Sequence, residues 1–369
     1  MESANIKDIP IFFIFGRPRS GTTLLTTLFN AHPNVRIAPE FPIMMFLYQR
    51  FRRVKKWDEA TIRSFVDHAF YYTKSSKIDK RRVNNLRIDK DFIINELLKY
   101  KDVGTIQLFL KSINYYAFSL YDKGEPQWIG DKNPVYSIFA HRFRKIFPEA
   151  KFICIIRDYR DTFISIKRLA DKEIAVEAPS VPLQVGRWRY FVQLFLDCKR
   201  RFPEKYYILR YEDLVTNQES TFKSLSDFLG IAYDPSVFEF YQKRDETLKT
   251  YGNPTWEKFH ENLLKPINTG RMNTWQDKLT ARQVRMADQV AGRYADRLGY
   301  ERQSKEFNIW LFLQSVPMLI YNYILLTMMI LGSYLPFKVS QWFFYKILFL
   351  LKTYLFLTGK KSYYRNRTD

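Results

Sequence analysis

Short apolar runs alternate with stretches of helical periodicity over the first 230 residues. The run Ile11–Phe15 precedes a glycine-containing turn and a helical pattern, Lys151–Ile156 precedes a second such pattern, and Tyr206–Tyr211 precedes a third that ends near Gly230. Short apolar runs between helical stretches are typical of buried parallel strands. The pattern predicts an α/β fold, a mainly parallel sheet covered by helices, whose ligand binds at the carboxyl ends of the strands.

The last 60 or so residues follow a different pattern. Phe307 to Phe337 is a run of 31 residues without a formal charge, and about 20 apolar residues suffice to cross a bilayer. Pro317 and Pro336 predict a break into a short piece and a span, or a re-entrant hairpin. We therefore expect one domain over residues 1–305 and a membrane-associated helical region over residues 306–369. The alternative is a helical subdomain packed on the protein, or an oligomer interface.

A second segment of this region, Val339 to Leu357, is aromatic but contains Lys346 and Lys352. At helical spacing its polar residues form one narrow stripe, which indicates a helix lying along a membrane surface. The chain then ends in a basic tail, which favours the cytoplasmic side of the membrane and consists of Lys360, Lys361, Arg365 and Arg367.

Composition narrows the class of protein. The 369 residues include 59 Lys and Arg against 38 Asp and Glu, a net charge of +21, which indicates an anionic partner such as a phosphate-bearing ligand or lipid head groups. The basic residues are dispersed, so we expect no nucleic-acid partner. Two cysteines, Cys154 and Cys198, lie in apolar stretches, which argues against a disulfide scaffold and for reduced core residues in a cytoplasmic setting.

The turn after the first apolar run has the spacing of a phosphate-binding loop. Gly16 to Thr23 fits the P-loop-like pattern G-x-x-x-x-G-x-[ST], but Thr22 stands where a nucleotide triphosphatase has lysine. Backbone N–H groups of such a loop and of the helix that follows point at an anion, and Arg17 and Arg19 can supply the cation. We expect phosphate binding without ATPase activity.

The turn after the second apolar run predicts another anion site. Arg157 ends the strand, Asp158 is placed to cap the next helix, and Ser165 lies one to two turns inside that helix. Arg157 and Ser165 can hold a second phosphate.

These residues resemble a known family. Arg17 to Leu25 is similar to the 5′-phosphosulfate loop of sulfotransferases that use 3′-phosphoadenosine 5′-phosphosulfate (PAPS), and Arg157 to Ser165 is similar to their 3′-phosphate motif. The resemblance covers about residues 9 to 300 and is closer to the tyrosylprotein and bacterial branch than to the cytosolic branch. It continues, in order, through Ala31 to Arg36, Gly130 to Pro134, Gly186 to Tyr190, Arg210 to Val215 and Asn268 to Arg271.

The resemblance implies a donor, a reaction and a set of residues. PAPS would be the sulfuryl donor and no metal is demanded; Glu40 would be the base that takes the acceptor proton, Lys132 would stabilise the leaving phosphate, and Arg19 would neutralise the phosphosulfate. A capping role for Glu40 and a solvated surface position for Lys132 are the alternatives. The implied donor-binding residues are Arg17, Arg19, Ser20, Gly21, Thr22, Thr23, Arg157, Ser165, Tyr211, Thr269, Gly270 and Arg271.

The acceptor is a hydroxyl compound that the sequence does not identify. The apolar C-terminal region favours a lipophilic alcohol, such as a sterol or glycolipid, reached at the membrane. Sulfation of a glycan or of a protein tyrosine is an alternative that leaves the tail as a localisation device. Two other classes stay open: a P-loop kinase of a small molecule, which Thr22 disfavours, and a non-catalytic nucleotide-binding membrane scaffold, which Glu40 and Lys132 disfavour.

Overall fold

The computed structural model describes residues 5–71, 86–121, 124–171, 179–251, 261–336, 338–340 and 342. Most of the predicted interfacial segment, 339–357, and the whole basic tail lie outside these residues.

The described residues form one five-stranded parallel sheet with strand order β2-β3-β1-β4-β5. The α/β prediction is confirmed, and the order places β1 at the centre between β3 and β4. The strands are β1 (Ile11–Gly16), β2 (Val35–Ile37), β3 (Trp128–Asp131), β4 (Lys151–Ile156) and β5 (Tyr206–Arg210).

Helices cover both faces of the sheet. Within the described ranges, 3₁₀ helices occur at Pro134–Phe139, Pro235–Lys243 and Glu261–Leu264. In chain order the α-helices are α1 (Thr22–Ala31), α2 (Met44–Phe51), α3 (Glu59–Tyr71), α4 (Lys90–Leu98), α5 (Ile106–Tyr116), α6 (Ala140–Ile146), α7 (Tyr159–Asp171), α8 (Val181–Arg201), α9 (Tyr211–Thr216), α10 (Gln218–Leu229), α11 (Arg244–Tyr251), α12 (Trp275–Lys278), α13 (Ala281–Ala291), α14 (Arg293–Arg297) and α15 (Ile309–Gly332).

The central strand explains why the sheet has two apolar layers. All six residues of β1 are buried, and successive side chains of a strand point to opposite faces. Phe13 belongs to the core cluster that α8 and α13 cover, whereas Phe12 belongs to the cluster that α1 and α10 cover. A near-continuous apolar run is therefore what a central parallel strand needs.

The long C-terminal helix is unbroken. Residues Ile309–Gly332 form a single helix that contains Pro317, so the break expected at this proline is absent. Proline removes the amide that would donate to the Leu313 carbonyl. The helix is nevertheless held on both sides of that position, because Arg282 of α13 donates to Gln314 before it and Arg187 of α8 donates to Asn322 after it. Among the described helices, it alone is long and apolar enough to cross a membrane by length and composition.

Candidate active site

The glycine-containing loop joins β1 to α1 at the carboxyl edge of the sheet. Its turn is closed by the Ser20 amide, which donates to the Arg17 carbonyl at 3.2 Å. Two residues take left-handed backbone angles, Arg19 with φ 76° and Gly21 with φ 98°. Gly21 is the N-cap of α1, so the first amides of this helix face the space above the loop, where an anion would be stabilised.

Glycine is required at position 21 for a second reason. A Cβ atom there would lie 2.5 Å from Cδ2 of Tyr211, closer than non-bonded carbons approach. Tyr211 is buried at the start of α9, directly after β5. The loop therefore packs against the Tyr211 ring, which fixes the distance of the loop from the end of the sheet.

The second anion loop follows β4, and hydrogen bonds fix its backbone. The Trp188 indole donates to the Arg157 carbonyl at 2.8 Å, and the Asp158 amide donates to the Glu212 carboxylate at 2.9 Å. The Asp158 carboxylate accepts from the Arg160 amide at 2.7 Å, which confirms the predicted cap of α7. Arg157 is consequently held at the carboxyl end of β4.

The two loops meet, because β1 and β4 are neighbours in the sheet. A guanidinium nitrogen of Arg157 donates to the Arg19 carbonyl at 3.3 Å, another donates to the Arg271 carbonyl, and Arg19 Nε donates to the Ser165 hydroxyl at 3.0 Å. The Arg157 guanidinium also stacks 4.9 Å from the centre of the Tyr211 ring. A cavity lies between the loops and is lined by Arg19, Gly21, Thr22, Thr23, Leu24, Arg157, Tyr211, Leu263, Ile267, Asn268 and Arg271.

The cavity concentrates positive charge. Burial, and then repulsion from Arg271, Arg157 and Arg168, lower the pKa of Arg19 to about 10. Of the described residues that line the cavity, three are arginines and none is acidic. Nearby Asp161 is engaged elsewhere, since its carboxylate accepts from Asn273, Thr274 and Trp275.

This environment suits a ligand with more than one phosphate. Like charges crowded in a partly desolvated site repel one another, and a polyanion relieves that repulsion. Among the described residues, none accepts a hydrogen bond from the buried Nε of Arg157. The cavity therefore fits the phosphate groups that the resemblance to PAPS-dependent enzymes implies.

A carboxylate and a lysine lie together after the next two strands. Glu40 follows β2, Lys132 follows β3, and the lysine Nζ donates to the Glu40 carboxylate. The Lys132 side chain is buried at 5% exposure, whereas the Glu40 side chain is 38% exposed. Glu40 can therefore contact a molecule that enters from solvent, whereas the Lys132 side chain is buried.

Asp131 holds the strand end beneath this pair. Its carboxylate accepts hydrogen bonds from the side-chain amides of Asn114 at 2.9 Å and Asn133 at 2.8 Å. Burial raises the pKa of Asp131 to about 6.

Ser137 ties the pair to the glycine-containing loop. Its hydroxyl accepts from the Gly16 amide at 2.9 Å and donates to the Gly16 carbonyl at 3.1 Å. Because Ser137 lies in the 3₁₀ helix that begins two residues after Lys132, the chain segment that carries the lysine is fixed to the end of β1.

Several predicted donor-binding residues lie elsewhere than in the cavity lining. Arg17 is buried and donates to the backbone and side-chain carbonyls of Gln184 in α8, and the Ser20 hydroxyl donates to the Arg17 carbonyl. Thr269 and Gly270 are exposed beside the cavity. The structure thus brings Arg19, Arg157, Ser165, Tyr211 and Arg271 together, and the roles of all these residues stay predictions.

The structure adds residues that sequence reasoning missed. Arg168 lies three residues after Ser165 in α7, on the same helix face, and contributes positive charge near Arg19; that spacing was a readable signal. Gln184, Trp188 and Ser137 act through contacts with chain segments 31 to 167 residues away, for which the sequence offers no local signal.

Comparison with known proteins places this geometry in context. A family model described as the sulfotransferase family matches residues 10–235. Protein-tyrosine sulfotransferase 1 of Danio rerio is 25% identical over 302 residues, which cover 80% of this chain and 73% of the relative. Omega-hydroxy-beta-dihydromenaquinone-9 sulfotransferase of Mycobacterium bovis is 28% identical over 183 residues, 47% of this chain and 42% of that one.

Solved structures share the fold. The sulfotransferase domain of the Synechococcus PCC 7002 olefin synthase aligns with a TM-score of 0.50 and 20% identity, over 79% of this chain and 95% of that domain. The parallel sheet with its covering helices is common to both.

Proposed function

The chain belongs to the sulfotransferase family, and we propose that it transfers the sulfuryl group of PAPS to the hydroxyl of a lipophilic alcohol at a membrane surface. In this proposal residues 1–305 form the catalytic domain and residues 306–369 the membrane-associated region. The observation that carries the donor assignment is the cluster of Arg19, Arg157 and Arg271 around one cavity at the edge where β1 and β4 meet.

Each anion loop holds one end of the donor in this proposal. The amides at the start of α1 and the Arg19 guanidinium bind the 5′-phosphosulfate, and Arg157 binds the 3′-phosphate. The Ser165 hydroxyl accepts from Arg19, which leaves its hydrogen to donate to a phosphate oxygen. Arg271, which also lines the cavity, adds a third positive charge.

Glu40 and Lys132 carry the transfer. Glu40 accepts the proton of the acceptor hydroxyl while the new O–S bond forms, and the S–O bond to the 5′-phosphate breaks. Lys132 neutralises the charge that develops on the departing phosphate oxygen. The ion pair observed between them holds the Glu40 carboxylate next to the lysine, so that the base and the group that stabilises the leaving phosphate lie side by side.

The lipophilic acceptor is supported by two observations. The described part of the C-terminal region presents exposed apolar side chains along α15, and the M. bovis relative is named for a menaquinone-type lipid acceptor. An enzyme bound at the membrane meets alcohols that partition into the bilayer. We place the catalytic domain on the cytoplasmic side because the tail after residue 358 is basic.

A second candidate is sulfation of a protein tyrosine. It is favoured by the match to protein-tyrosine sulfotransferase 1, which covers 80% of this chain.

Label transfer tests the proposal. Membranes that contain the protein are incubated with PAPS carrying ³⁵S, and lipid, protein and polar fractions are counted. We expect label in the lipid fraction, lowered about 100- to 10,000-fold by Glu40→Gln, because a positioned base contributes a factor of this size. Glu219→Gln, at an exposed acid of α10, is the matched control and should keep full activity.

The other outcomes discriminate among the alternatives. Label in the protein fraction supports tyrosine sulfation instead. Transfer from ³²P-labelled ATP, with none from PAPS, supports a kinase. Nucleotide binding without transfer from either donor supports a scaffold.

A further inference from the structure

One face of α15 is docked on the catalytic domain. Leu311, Ser315, Asn322 and Leu326 are its buried residues before the final turn, and at about 100° per residue they fall on one stripe of the helix. The stripe packs on α8, where a Cβ added to Gly186 would lie 2.5 Å from Leu319. The two helices therefore approach closely, backbone against side chain.

Polar contacts secure this docking at both ends and in the middle. Asn308 and Gln289 exchange two hydrogen bonds, of 3.0 and 2.8 Å. Arg187 Nε donates to the Asn322 side chain at 3.0 Å with both residues buried. At the far end Arg142 donates to the carbonyl and hydroxyl of Ser333, each at 2.5 Å.

These contacts are incompatible with a helix that crosses a bilayer. From Asn308 to Ser333 the helix extends about 38 Å at 1.5 Å per residue, and the hydrocarbon core of a bilayer is about 30 Å thick. A crossing helix would have to leave the domain along this length. Undocking would break the hydrogen bonds that Arg142 and Arg187 donate to α15 and would uncover the apolar surface on which Leu319 and Leu326 pack, and both changes are unfavourable.

The opposite face is apolar and exposed. Five aliphatic residues lie within an arc of about 60° on the far side of the helix from the docked stripe, and each is between 50% and 61% exposed. The five are Ile309, Leu313, Ile320, Ile324 and Leu331.

The ends of the exposed face have the composition of a membrane interface. Trp310, Tyr334 and Trp342 are 59% to 70% exposed, and exposed Lys305 and Lys338 flank the helix. Aromatic and basic residues favour the head-group region of anionic bilayers. The 27 residues beyond position 342 continue this composition, with apolar and aromatic residues up to 357 and a basic tail.

We infer that α15 is an in-plane membrane helix: it stays docked on the catalytic domain and lays its exposed face into one leaflet of an anionic bilayer, with both of its ends on the same side. Helices of this kind sit about 5–10 Å deep, at the boundary of head groups and acyl chains. The inference concerns topology and does not depend on the acceptor.

Cysteine accessibility tests the topology. Gln303→Cys and Pro336→Cys place single reactive thiols at exposed positions on either side of α15, while the native cysteines Cys154 and Cys198 are buried. In sealed inverted membrane vesicles from the expression host, whose outer surface is the cytoplasmic side, a membrane-impermeant maleimide should label both sites before detergent is added. Labelling of one site only, with the other reached after detergent, would overturn the inference.

Vesicle binding tests whether the exposed face of α15 contacts a lipid bilayer. The full chain should sediment with vesicles of phosphatidylcholine and phosphatidylglycerol, and Ile324→Asp should weaken this binding about 10- to 100-fold, since burying one such side chain is worth about 1.5–3 kcal/mol. Val103→Asp, at a 72% exposed site outside α15, should leave it unchanged. Unaltered binding of Ile324→Asp, or a dimer that does not bind vesicles, would contradict the inference.

Discussion

Arg19 shows how the candidate site combines strain with charge. Its backbone has φ 76°, a region that costs an ordinary residue about 1 kcal/mol or more. Its guanidinium is buried beside other arginines, which lowers its pKa. The backbone strain and the burial of the guanidinium among like charges are both unfavourable in the protein without ligand. A bound polyanion offsets the charge repulsion. Such a residue is expected at a binding site rather than in a structural turn.

Asp131 gives the site a pH-dependent contribution to stability. Burial raises its pKa from 3.8 to about 6, so the folded protein holds this proton more tightly than the unfolded chain. The contribution is therefore favourable below about pH 4 and is lost as pH rises through 6, by about 3 kcal/mol in total. Asp131→Asn remains neutral and should gain stability relative to wild type over this window, as measured by urea unfolding at several pH values.

Asp227→Asn, at an exposed acid of α10, is the control for this change and should track wild type. A difference between Asp131→Asn and wild type that stays constant from pH 4 to pH 7, or that grows in the opposite direction, would contradict the assignment.

Arg17 and Arg19 mark the limit of sequence reasoning at single residues. Both lie in the loop, and the sequence offers each as a phosphate ligand. The structure separates them, because Gln184, 167 positions later, accepts two hydrogen bonds from the Arg17 guanidinium. The partner that decides the orientation of a side chain is seldom near it in sequence.

Individual strands and helices could be predicted from the sequence where their pattern of apolar residues was long enough. The strands β1, β4 and β5 and the helices after them carry apolar runs or periodicity that identify them, and Gly230 ends α10 with φ 84° as its position indicated. The edge strand β2 has three residues, too few for a pattern. Pro317 misled because packing on α8, a tertiary effect, outweighs the cost of a proline within α15.

A comparison of Gly21 in the donor loop with Gly230 at the end of α10 distinguishes a role in ligand binding from a role in helix capping. Gly21 and Gly230 both have positive φ, but a Cβ at Gly21 would contact Tyr211, whereas none of the described residues lies within 4 Å of one at Gly230. Substitution by alanine should cost about 1–2 kcal/mol of unfolding free energy at Gly230, from the positive φ alone, and more at Gly21, where the added Cβ also displaces the Tyr211 ring. Only Gly21→Ala should weaken binding of adenosine 3′,5′-bisphosphate, by tenfold or more in calorimetric titration. Equal affinities of the two variants would refute the role of the loop.

The order of the strands in the sheet is a property of the whole molecule. Each anion loop can be identified from the sequence, but the two loops lie side by side only because β4 pairs with β1. Strand β3, which precedes Lys132, pairs with the other edge of β1. Local patterns do not encode which strands pair. The prediction that the ligand binds at the carboxyl ends of the strands became specific only when this order placed both loops and the Glu40–Lys132 pair at one edge.

The central claim is that one nucleotide bridges the two loops, and Arg157 tests it most directly. Calorimetric titration compares adenosine 3′,5′-bisphosphate with adenosine 5′-phosphate on wild type and on Arg157→Ala. Wild type should bind the bisphosphate at least tenfold more tightly. Loss of a charged hydrogen-bonding group costs about 1.5–3 kcal/mol, so the variant should lose about 10- to 100-fold in affinity for the bisphosphate and little for the monophosphate. Equal losses for both nucleotides, or no preference in wild type, would contradict the account.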